Sequence, residues 1–254
     1  MSKPSKKFKI LVVGDSCKDI FVYCNCSRLC PESPVPLLDI IKEKRNNGMA
    51  GNVYDNIKSL GFSCDLLSNS NRDKVTKTRY VDDKTNHMFI RIDSRNKISR
   101  VDLKDVTFDK YDAVVISDYD KGSLTKEDIV HIGNSHHLVF LDTKKAVSDW
   151  AKAVTYIKIN KKEYNDSIHF IESNIGLKNK VITTLGGDGC RFRGKHYPVH
   201  SVEVKDLSGA GDSFLAGLVC EYLLSDGNMD ASLKYANKCA SIVVQKKGVN
   251  LIKE

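Results

Sequence analysis

Long hydrophobic runs are missing from this sequence of 254 residues. No stretch approaches the roughly 18 consecutive apolar residues that a membrane-spanning helix needs. The basic first residues are followed only by a short apolar run at 8–13, before Gly14 and Asp15. Because that run is too short for the apolar core of a secretory signal, we expect a cytoplasmic protein with no membrane partner.

Paired cysteine motifs are also missing, although the chain contains eight cysteines. Cys24, Cys26 and Cys30 lie close together, which leaves a metal site open as an alternative. They form no CxxC pair, however, and no matching second pair follows them. In the cytoplasm we expect reduced thiols rather than a disulfide framework, and we interpret the cluster as half-buried thiols of a β segment.

The sequence has no concentrated basic tail, although 40 Lys and Arg against 32 Asp and Glu give a net charge of +8. A moderate positive charge suits an anionic ligand such as a nucleotide or a sugar phosphate. It would also suit a nucleic acid, but the basic residues are scattered and no RNA-binding or helix-turn-helix pattern accompanies them. We therefore expect a small-molecule substrate and no nucleic acid.

Short apolar runs alternate with helical patterns along most of the chain, which is typical of a parallel sheet with crossover helices. We predict strands at 8–13, 112–117, 138–142, 154–159 and 181–185, and helices at 50–60, 124–133, 210–225 and 229–245. The sequence therefore predicts an α/β protein, a three-layer sandwich with a mainly parallel central sheet, in a single domain over 1–254.

Two pairs of segments depart from this alternation. Residues 21–26 with 35–41, and 76–81 with 87–93, alternate like half-exposed strands. They could pair into a small four-stranded sheet, and an exposed sheet of this kind usually needs a ligand or a partner to cover it. We predict a β-sheet lid at about 20–42 and 76–93, and a homodimer formed through that lid.

The strongest chemical signal is the segment Asp206-Leu-Ser-Gly-Ala-Gly-Asp212, which follows a predicted β segment at 197–204 and opens an apolar helix. The N–H groups and the dipole at such a glycine-rich helix start favour an anion. Asp212 could accept a proton from a hydroxyl nucleophile while the neighbouring amides hold phosphoryl oxygens. The plainer alternative is a glycine-rich helix start with Asp212 as a capping residue.

This segment resembles the Asp-Thr-Gly-Ala-Gly-Asp signature of the ribokinase-like (PfkB) carbohydrate kinases, with Ser208 in place of the threonine. The resemblance implies an ATP-dependent sugar kinase that uses Mg²⁺. It implies that Asp212 is the catalytic base and that the amides of Gly209, Ala210 and Gly211 form the anion hole. In some relatives a monovalent cation such as K⁺ lies near the residue that corresponds to Asp206.

Other segments resemble the family in the same order along the chain, which is what a shared fold would require. On the sugar side, the resemblance implies binding of the substrate by Asp15 at the end of the first strand and by Gly48, Gly51 and Asn52. On the nucleotide side, it implies an Asn-x-x-Glu motif at Asn160 and Glu163, with Glu163 acting on Mg²⁺ through water. The remaining implied nucleotide contacts are Thr184, Gly186, Gly189 and Asn237.

Within the family, the chain most resembles the kinases that phosphorylate heptose 7-phosphate in ADP-heptose synthesis. The likeness extends over residues 29–36, the two lid strands at 76–93, and the turn at 117–122. A doubly charged sugar phosphate needs cationic partners, and four residues in these segments have the right type: Lys77, Arg79, Arg91 and Lys121. For each of them, a solvated surface charge is the plainer interpretation.

Two departures from the heptose kinases affect the sugar side. Met49 replaces a glycine, and only a short polar loop joins Leu67 to Thr76 where those kinases carry a further helix and strand. The acceptor could therefore be another sugar or a nucleoside. A catalytically silent, sugar-binding regulator is a third alternative, although a binder would have no need of the base at Asp212.

Overall fold

The structure of the protein is a computed structural model, and it describes residues 8–252. The strands in chain order are β1 (Lys9–Gly14), β2 (Ser16–Cys30), β3 (Ser33–Met49), β4 (Ser63–Ser68), β5 (Thr76–Asp82), β6 (Met88–Asp93), β7 (Ala113–Asp118), β8 (Val139–Thr143), β9 (Tyr156–Asn160), β10 (Val181–Thr184), β11 (Cys190–Phe192) and β12 (Lys195–Tyr197). The α-helices are α1 (Ala50–Ser59), α2 (Lys126–Ser135), α3 (Lys161–Asp166), α4 (Ile168–Ser173), α5 (Ile175–Lys178), α6 (Ala210–Leu224) and α7 (Met229–Val244).

The central sheet has eight strands in the order β12-β11-β10-β9-β8-β7-β1-β4. The pairs from β10 to β4 are parallel, whereas β11 and β12 add an antiparallel hairpin at one edge. The inner strands are continuous apolar runs because helices cover both faces of a parallel sheet. This arrangement confirms the predicted α/β sandwich.

Two hydrophobic cores lie on opposite faces of this sheet. Ile10 and Val12 of β1 pack in one core with α1, α6 and α7, while Leu11 and Val13 pack in the other with α2. The alternation follows from the period of two along a strand. Since α1 and α6 share one core, the start of α6, which carries the glycine-rich motif, is held against the start of α1.

The lid is a separate four-stranded sheet in the order β3-β2-β5-β6. Strands β2 and β3 form a long antiparallel hairpin, β5 joins β2 in parallel, and β6 completes the sheet. The predicted pairing of the two distant segments is therefore confirmed, but the hairpin is longer than predicted. It begins at Ser16, directly after β1, and ends at Met49, directly before α1, so the lid is continuous with the body at both ends.

Three parts of the secondary structure differ from the sequence-based expectation. The β segment predicted at 197–204 is wrong: β12 ends at Tyr197, and residues 198–208 form no strand because they run along a cleft without a neighbouring strand to bond. Strand β4 was not predicted, since it is a half-exposed edge strand. The short helices α3 to α5 were also missed, because four to six residues are too few to display helical periodicity.

All eight cysteines are free thiols. Cys24 is buried, and Cys26 and Cys30 are half-buried in β2, as the sequence interpretation held. Within residues 8–252, no group of three or more His, Cys, Asp and Glu side chains has an arrangement that could by itself hold a metal ion. None of the helices over the same range combines the length and the apolar character needed to cross a membrane.

Gly14, at the end of β1, allows the closest backbone approach between β1 and β7. A Cβ at this position would lie 1.9 Å from the carbonyl oxygen of Ser117. We expect Gly14→Ala to lower the free energy of unfolding by about 1–3 kcal/mol or more, because the strands would have to separate. Urea unfolding measures this, with Gly176→Ala as the control, since a Cβ there meets nothing closer than 3.6 Å. A change below about 0.5 kcal/mol in Gly14→Ala would contradict the expectation.

Candidate active site

Asp212 lies in the first turn of α6 and is only 5% exposed. Gly209, the N-cap residue of α6, has a φ of 82°, a left-handed conformation that favours glycine. A Cβ on Gly209 would also lie 2.8 Å from the side-chain nitrogen of Asn52. The glycine therefore serves both the turn and the close approach of α1.

Both carboxylate oxygens of Asp212 accept hydrogen bonds from distant parts of the chain. Asn52 Nδ2 donates to Oδ2 at 2.8 Å, and Tyr119 Oη donates to Oδ1 at 2.7 Å. Burial raises the pKa of Asp212 to about 6, although these two hydrogen bonds act in the opposite direction. A carboxylate that ionises near pH 6 is largely charged at neutral pH and is well matched to accept a proton.

A buried ion pair that the sequence analysis missed adjoins the glycine-rich turn. Lys158 of β9 is 4% exposed, and its Nζ lies 2.7 Å from Asp142 Oδ2. A Cβ on Gly211 would lie 2.9 Å from that Nζ, so the ammonium group is next to the amides at the start of α6. The sequence feature that could have revealed this ion pair is the lysine in the centre of the apolar strand Tyr-Ile-Lys-Ile-Asn, because a buried charge is costly unless it is paired.

The nucleotide-side residues line one large cleft of about 1020 Å³. Its polar wall includes the residues predicted from the Thr-x-Gly-x-x-Gly turn, the last helix and the anion loop: Asn160, Thr184, Gly186, Gly189, Asn237, Gly209, Ala210, Gly211 and Asp212. Its apolar wall comes from Val199, Val202, Val204, Leu207, Ala240 and Val244. A flat apolar wall opposite amide donors is the kind of surface that binds a nucleotide base.

The Asn160 and Glu163 pair forms the capping box of α3. Glu163 Oε2 accepts from the backbone N–H of Asn160, and Oε1 accepts from Asn160 Nδ2 and from Lys144 Nζ at 2.5 Å. Within the described residues, Asp142 Oδ1 is buried without a hydrogen-bond partner, and Asp142 lines the cleft. Mg²⁺ prefers one or two carboxylates completed by water and phosphate. These carboxylates therefore fit the ion, with Asp142 Oδ1 open and Glu163 within reach through water.

Asp15 fixes the turn after β7. Its carboxylate is fully buried and accepts hydrogen bonds from the backbone N–H groups of Tyr119, Lys121 and Ser123, at 2.7 to 3.2 Å. This turn carries the Tyr119 hydroxyl that donates to Asp212. The sugar binding by Asp15 that the resemblance implies stays a prediction.

The carboxylate of Asp19, in β2, faces the space between the lid and Asp212. We call this space the acceptor side. Asp19 is 8% exposed and accepts from Arg79 Nη1 at 2.7 Å. A Cβ on Gly48 would lie 2.7 Å from Asp19 Oδ2, so the glycine makes room for it. The sequence analysis missed Asp19, because it lies just before the lid strand predicted at 21–26 and its partner Arg79 is 60 positions away.

Lys77 and Arg79 also lie on the acceptor side. Burial raises the pKa of the Cys17 thiol to about 12, and the charges of Lys77, Asp19, Arg79 and Asp212 all act on this buried thiol. Lys77 Nζ is 5.3 Å from the centre of the Tyr119 ring. These charges therefore surround one small region. Gly51 lies at its edge, since a Cβ there would be 2.8 Å from Ser16 Oγ.

Arg91 lies opposite Arg79 in the β5–β6 pair and therefore on the same face of the lid as Lys77 and Arg79. It donates to both carboxylate oxygens of Asp93, in a half-exposed pair. The Lys121 side chain is exposed, and its backbone N–H donates to Asp15. Three of the four predicted phosphate-binding cations thus share one face of the lid, and Lys121 stands apart from them.

Met49 is strained at the junction of the lid and α1. Its φ of 58° lies in the left-handed region, which costs a residue with a side chain on the order of 1–3 kcal/mol. Its side chain is buried against Cys17 and Val75, with Tyr119 beside it. The strain explains why a glycine occupies this position in the family that the sequence resembles, and the side chain fills space next to the acceptor side.

Asp206 stands between the lid and the end of the chain. Its Oδ1 accepts from Ser208 N, and its Oδ2 accepts from Gly248 N and from Asn86 Nδ2 of the β5–β6 turn. Burial raises the pKa of this carboxyl, but the hydrogen bonds outweigh it and the net shift is downward. Because three N–H donors already stabilise the charge, the surroundings of Asp206 do not fit a monovalent cation well.

The fold and this group of residues match a known family of carbohydrate kinases. Residues 127–254, half of the chain, match the model of the pfkB family carbohydrate kinases. The chain belongs to this family. The match includes the Asn160–Glu163 pair, the turn at Thr184–Gly189 and the glycine-rich start of α6, which are the elements that converge on the cleft.

Among individual relatives, the chain is similar to the bifunctional protein HldE of Helicobacter pylori, with 31% identity over 295 aligned positions that cover 94% of this chain and 63% of that protein. It is equally similar to the bifunctional protein HldE of Nitratiruptor, with 31% identity over 95% of this chain and 62% of the relative. The chain thus spans less than two thirds of their length. The alignment with the Helicobacter pylori protein is also longer than the chain, as expected if a segment is missing here.

Solved structures confirm the ribokinase-like fold. Ribokinase from Thermotoga maritima superposes with a TM-score of 0.68 at 18% identity, covering 95% of this chain and 94% of that one. Phosphofructokinase-2 from Escherichia coli, solved in complex with potassium, gives a TM-score of 0.69 at 13% identity, covering 97% and 95%. At these identities the likeness concerns the fold alone.

We expect Asp212 to titrate at a pH of about 6. Tyr119→Phe should raise this pKa further, because the Tyr119 hydrogen bond stabilises the charged carboxylate. A pH titration of side-chain carboxyl resonances measures both values. Tyr111→Phe is the matched control, since that hydroxyl bonds Asp65 instead. A wild-type pKa near 3.8, or no change in Tyr119→Phe, would contradict the assignment.

Proposed function

We propose that the protein transfers the γ-phosphoryl group of ATP to a hydroxyl group of a sugar or sugar phosphate. The observation that carries this proposal is the position of Asp212, a buried carboxylate with a raised pKa between the nucleotide cleft and the acceptor side. A protein that only binds sugar would gain nothing from such a base beside an anion-binding helix start, so a silent regulator is the weaker alternative.

In this mechanism the acceptor hydroxyl replaces Tyr119 or Asn52 as the hydrogen-bond donor to Asp212. Its proton moves to the carboxylate as the new oxygen–phosphorus bond forms and the bond to the leaving ADP oxygen breaks. The amides of Gly209, Ala210 and Gly211 donate to the phosphoryl oxygens, and Lys158 supplies a positive charge beside them.

Mg²⁺, when bound, would neutralise the nucleotide phosphates, held by Asp142 Oδ1 and through water by Glu163. Lys144 lies between them: its Nζ is 3.9 Å from Asp142 Oδ1 and 2.5 Å from Glu163 Oε1. Burial lowers the pKa of Lys144, but Asp142 and Glu163 outweigh it and raise the pKa. The lysine therefore stays charged and keeps the two carboxylates from repelling each other. K⁺ near Asp206 stays a weaker proposal.

The acceptor that we favour is a sugar phosphate, with heptose 7-phosphate as the leading candidate. Support comes from the resemblance to heptose 7-phosphate kinases and from Lys77 and Arg79 beside Asp19 on the acceptor side. Met49 fills part of that region, so another sugar or a nucleoside stays the alternative. The eight free thiols suit the reducing cytoplasm, where we propose that the protein acts.

Asp212→Asn should lower the rate of phosphoryl transfer by about 10²–10⁴-fold and leave ATP binding largely intact, because it removes the base but keeps the side-chain volume. ADP release over a panel of sugars, sugar phosphates and nucleosides measures the rate and identifies the acceptor. Nucleotide titration of the variant is the control for binding. A variant with more than half the wild-type kcat, or a wild type whose ADP release no acceptor increases, would contradict the proposed function.

Lys158→Met should lower kcat by about 10²-fold or more and change the KM for ATP less, because the charge acts on the transferring group. This substitution leaves the buried Asp142 with only the more distant Lys144 as a cationic partner and could unfold the protein. Asp142→Asn/Lys158→Met removes both charges and keeps the test open if the single variant does not fold. A folded variant of either kind with kcat within threefold of the wild type would show that Lys158 is structural.

We also propose a homodimer formed through the outer face of the lid. Ile90 and Ile92 of β6 lie on the face opposite Arg91, and each is 51% exposed. Ile40 of β3 is exposed as well, at 66%. Several apolar side chains on one small sheet are commonly covered by a symmetric partner.

Sedimentation velocity at micromolar concentration should therefore give the mass of two chains. Ile90→Lys/Ile92→Lys should shift the protein to one chain, because two charges would be buried in the interface. Ile175→Lys is the control, since Ile175 is exposed on α5, away from the lid. A wild-type protein that sediments as one chain would contradict the dimer.

A further inference from the structure

A second cavity, separate in its lining from the nucleotide cleft, lies at the edge of the lid. It has a volume of about 780 Å³ and lies between the end of β3, the start of α1 and residues 246–251. We call it the lid-edge groove. Asn52, the residue that donates to Asp212, lines the groove from α1.

Positive charge predominates in the lid-edge groove. Four basic side chains line it against two acidic ones, Asp55 and Asp73, and the basic ones are Lys18, Lys44, Arg45 and Lys246. Lys246 forms no ion pair with any residue in the range 8–252, and Arg45 pairs only with its exposed neighbour Glu43. Several cations lining a concave site with amide donors suit a phosphate group.

An unused amide donor points to the same conclusion. The Nδ2 atom of Asn46 is buried and has no hydrogen-bond partner in the part of the chain that the structure describes. A buried amide without an acceptor is costly, so it is an unusual feature unless a ligand supplies the acceptor. Asn46 lines the groove beside Arg45 and Lys44.

The lid-edge groove is continuous with the acceptor side. Asn46 pairs with Asp19 across β3 and β2, and directly opposite residues of a strand pair lie on one face of the sheet. Val249, another lining residue, is the side chain next to Gly209 at the start of α6. A molecule with its hydroxyl at Asp212 could therefore extend past Asn52 and Asn46 into the groove.

Lys77 and Arg79 leave less room for a phosphate. Arg79 is bound to Asp19, and Lys77 lies over the Tyr119 ring, so both are committed to the wall around the reacting hydroxyl. We propose that the lid-edge groove is the subsite for the phosphate group of the acceptor, with Asn46 and Lys246 as its main donors and Arg45 adding positive charge from the other face of β3. This inference rests on the proposed kinase function, and it makes an anionic acceptor the natural substrate class.

The test compares two double variants with equal loss of charge. Arg45→Gln/Lys246→Gln removes cations from the groove, and both side chains are exposed enough to be replaced without loss of the fold. Lys195→Gln/Lys234→Gln removes two cations that pair with Asp230 and do not line the groove. Each protein is assayed with a sugar phosphate and with its unphosphorylated counterpart.

We expect the groove variant to raise the KM for the sugar phosphate by about tenfold or more, because charge-assisted hydrogen bonds are lost. The KM for ATP and for the neutral sugar should stay unchanged, and the control variant should behave as the wild type. An equal effect on the phosphorylated and neutral acceptors would overturn the proposal. So would an unchanged KM for the sugar phosphate in the groove variant.

Binding of inorganic phosphate, followed through the Asn46 side-chain amide resonance, needs no turnover and separates this inference from the kinase proposal. We expect the resonance to shift with phosphate in the wild type and in Asp212→Asn, and the groove variant to require about tenfold more phosphate. If no acceptor is phosphorylated but the shift occurs, the subsite stands and the kinase proposal fails. If ADP release is normal and the resonance does not move, the subsite is wrong.

Discussion

The two hydrogen bonds to the buried carboxylate of Asp212 are the interaction on which the site depends. They join α1 through Asn52, the turn after β7 through Tyr119, and the start of α6. The donors stabilise the charged form, while burial destabilises it, and the balance leaves the pKa at about 6. A drier pocket would keep the carboxyl protonated at neutral pH, and a wetter one would make it a weaker base.

Glycine makes this convergence possible at two places. At Gly209 the backbone turns into α6 with the side chain of Asn52 directly against it, and at Gly211 the ammonium group of Lys158 occupies the space of a missing Cβ. The glycine-rich turn is thus bordered on one side by the side-chain amide of Asn52 and on the other by the buried ammonium group of Lys158. That cation is neutralised by Asp142, so the charge is held in place before any phosphate enters.

The central sheet and the long helices could be predicted because continuous apolar strands and helical periodicity are local signals. The same holds for Asp212, whose role follows from a contiguous motif. Asp19 and Lys158 could not be assigned in this way, because each works through a partner far along the chain. The three backbone N–H groups that donate to Asp15 could not be predicted either, because they lie 104 to 108 positions away along the chain.

The contact between Lys44 and the carbonyl oxygen of Val249 joins residues that are 205 positions apart. Asn52 and Asp212 are separated by 160 positions, which takes the ribosome roughly ten to thirty seconds at about 5–20 residues per second. During translation, the lid hairpin is therefore complete long before α6 and the residues that follow it, including Val249, exist. Phe21 and Tyr23, which pack against Val249 in the finished protein, stay exposed on the nascent chain for that interval, so the lid is the segment where chaperones would be needed first.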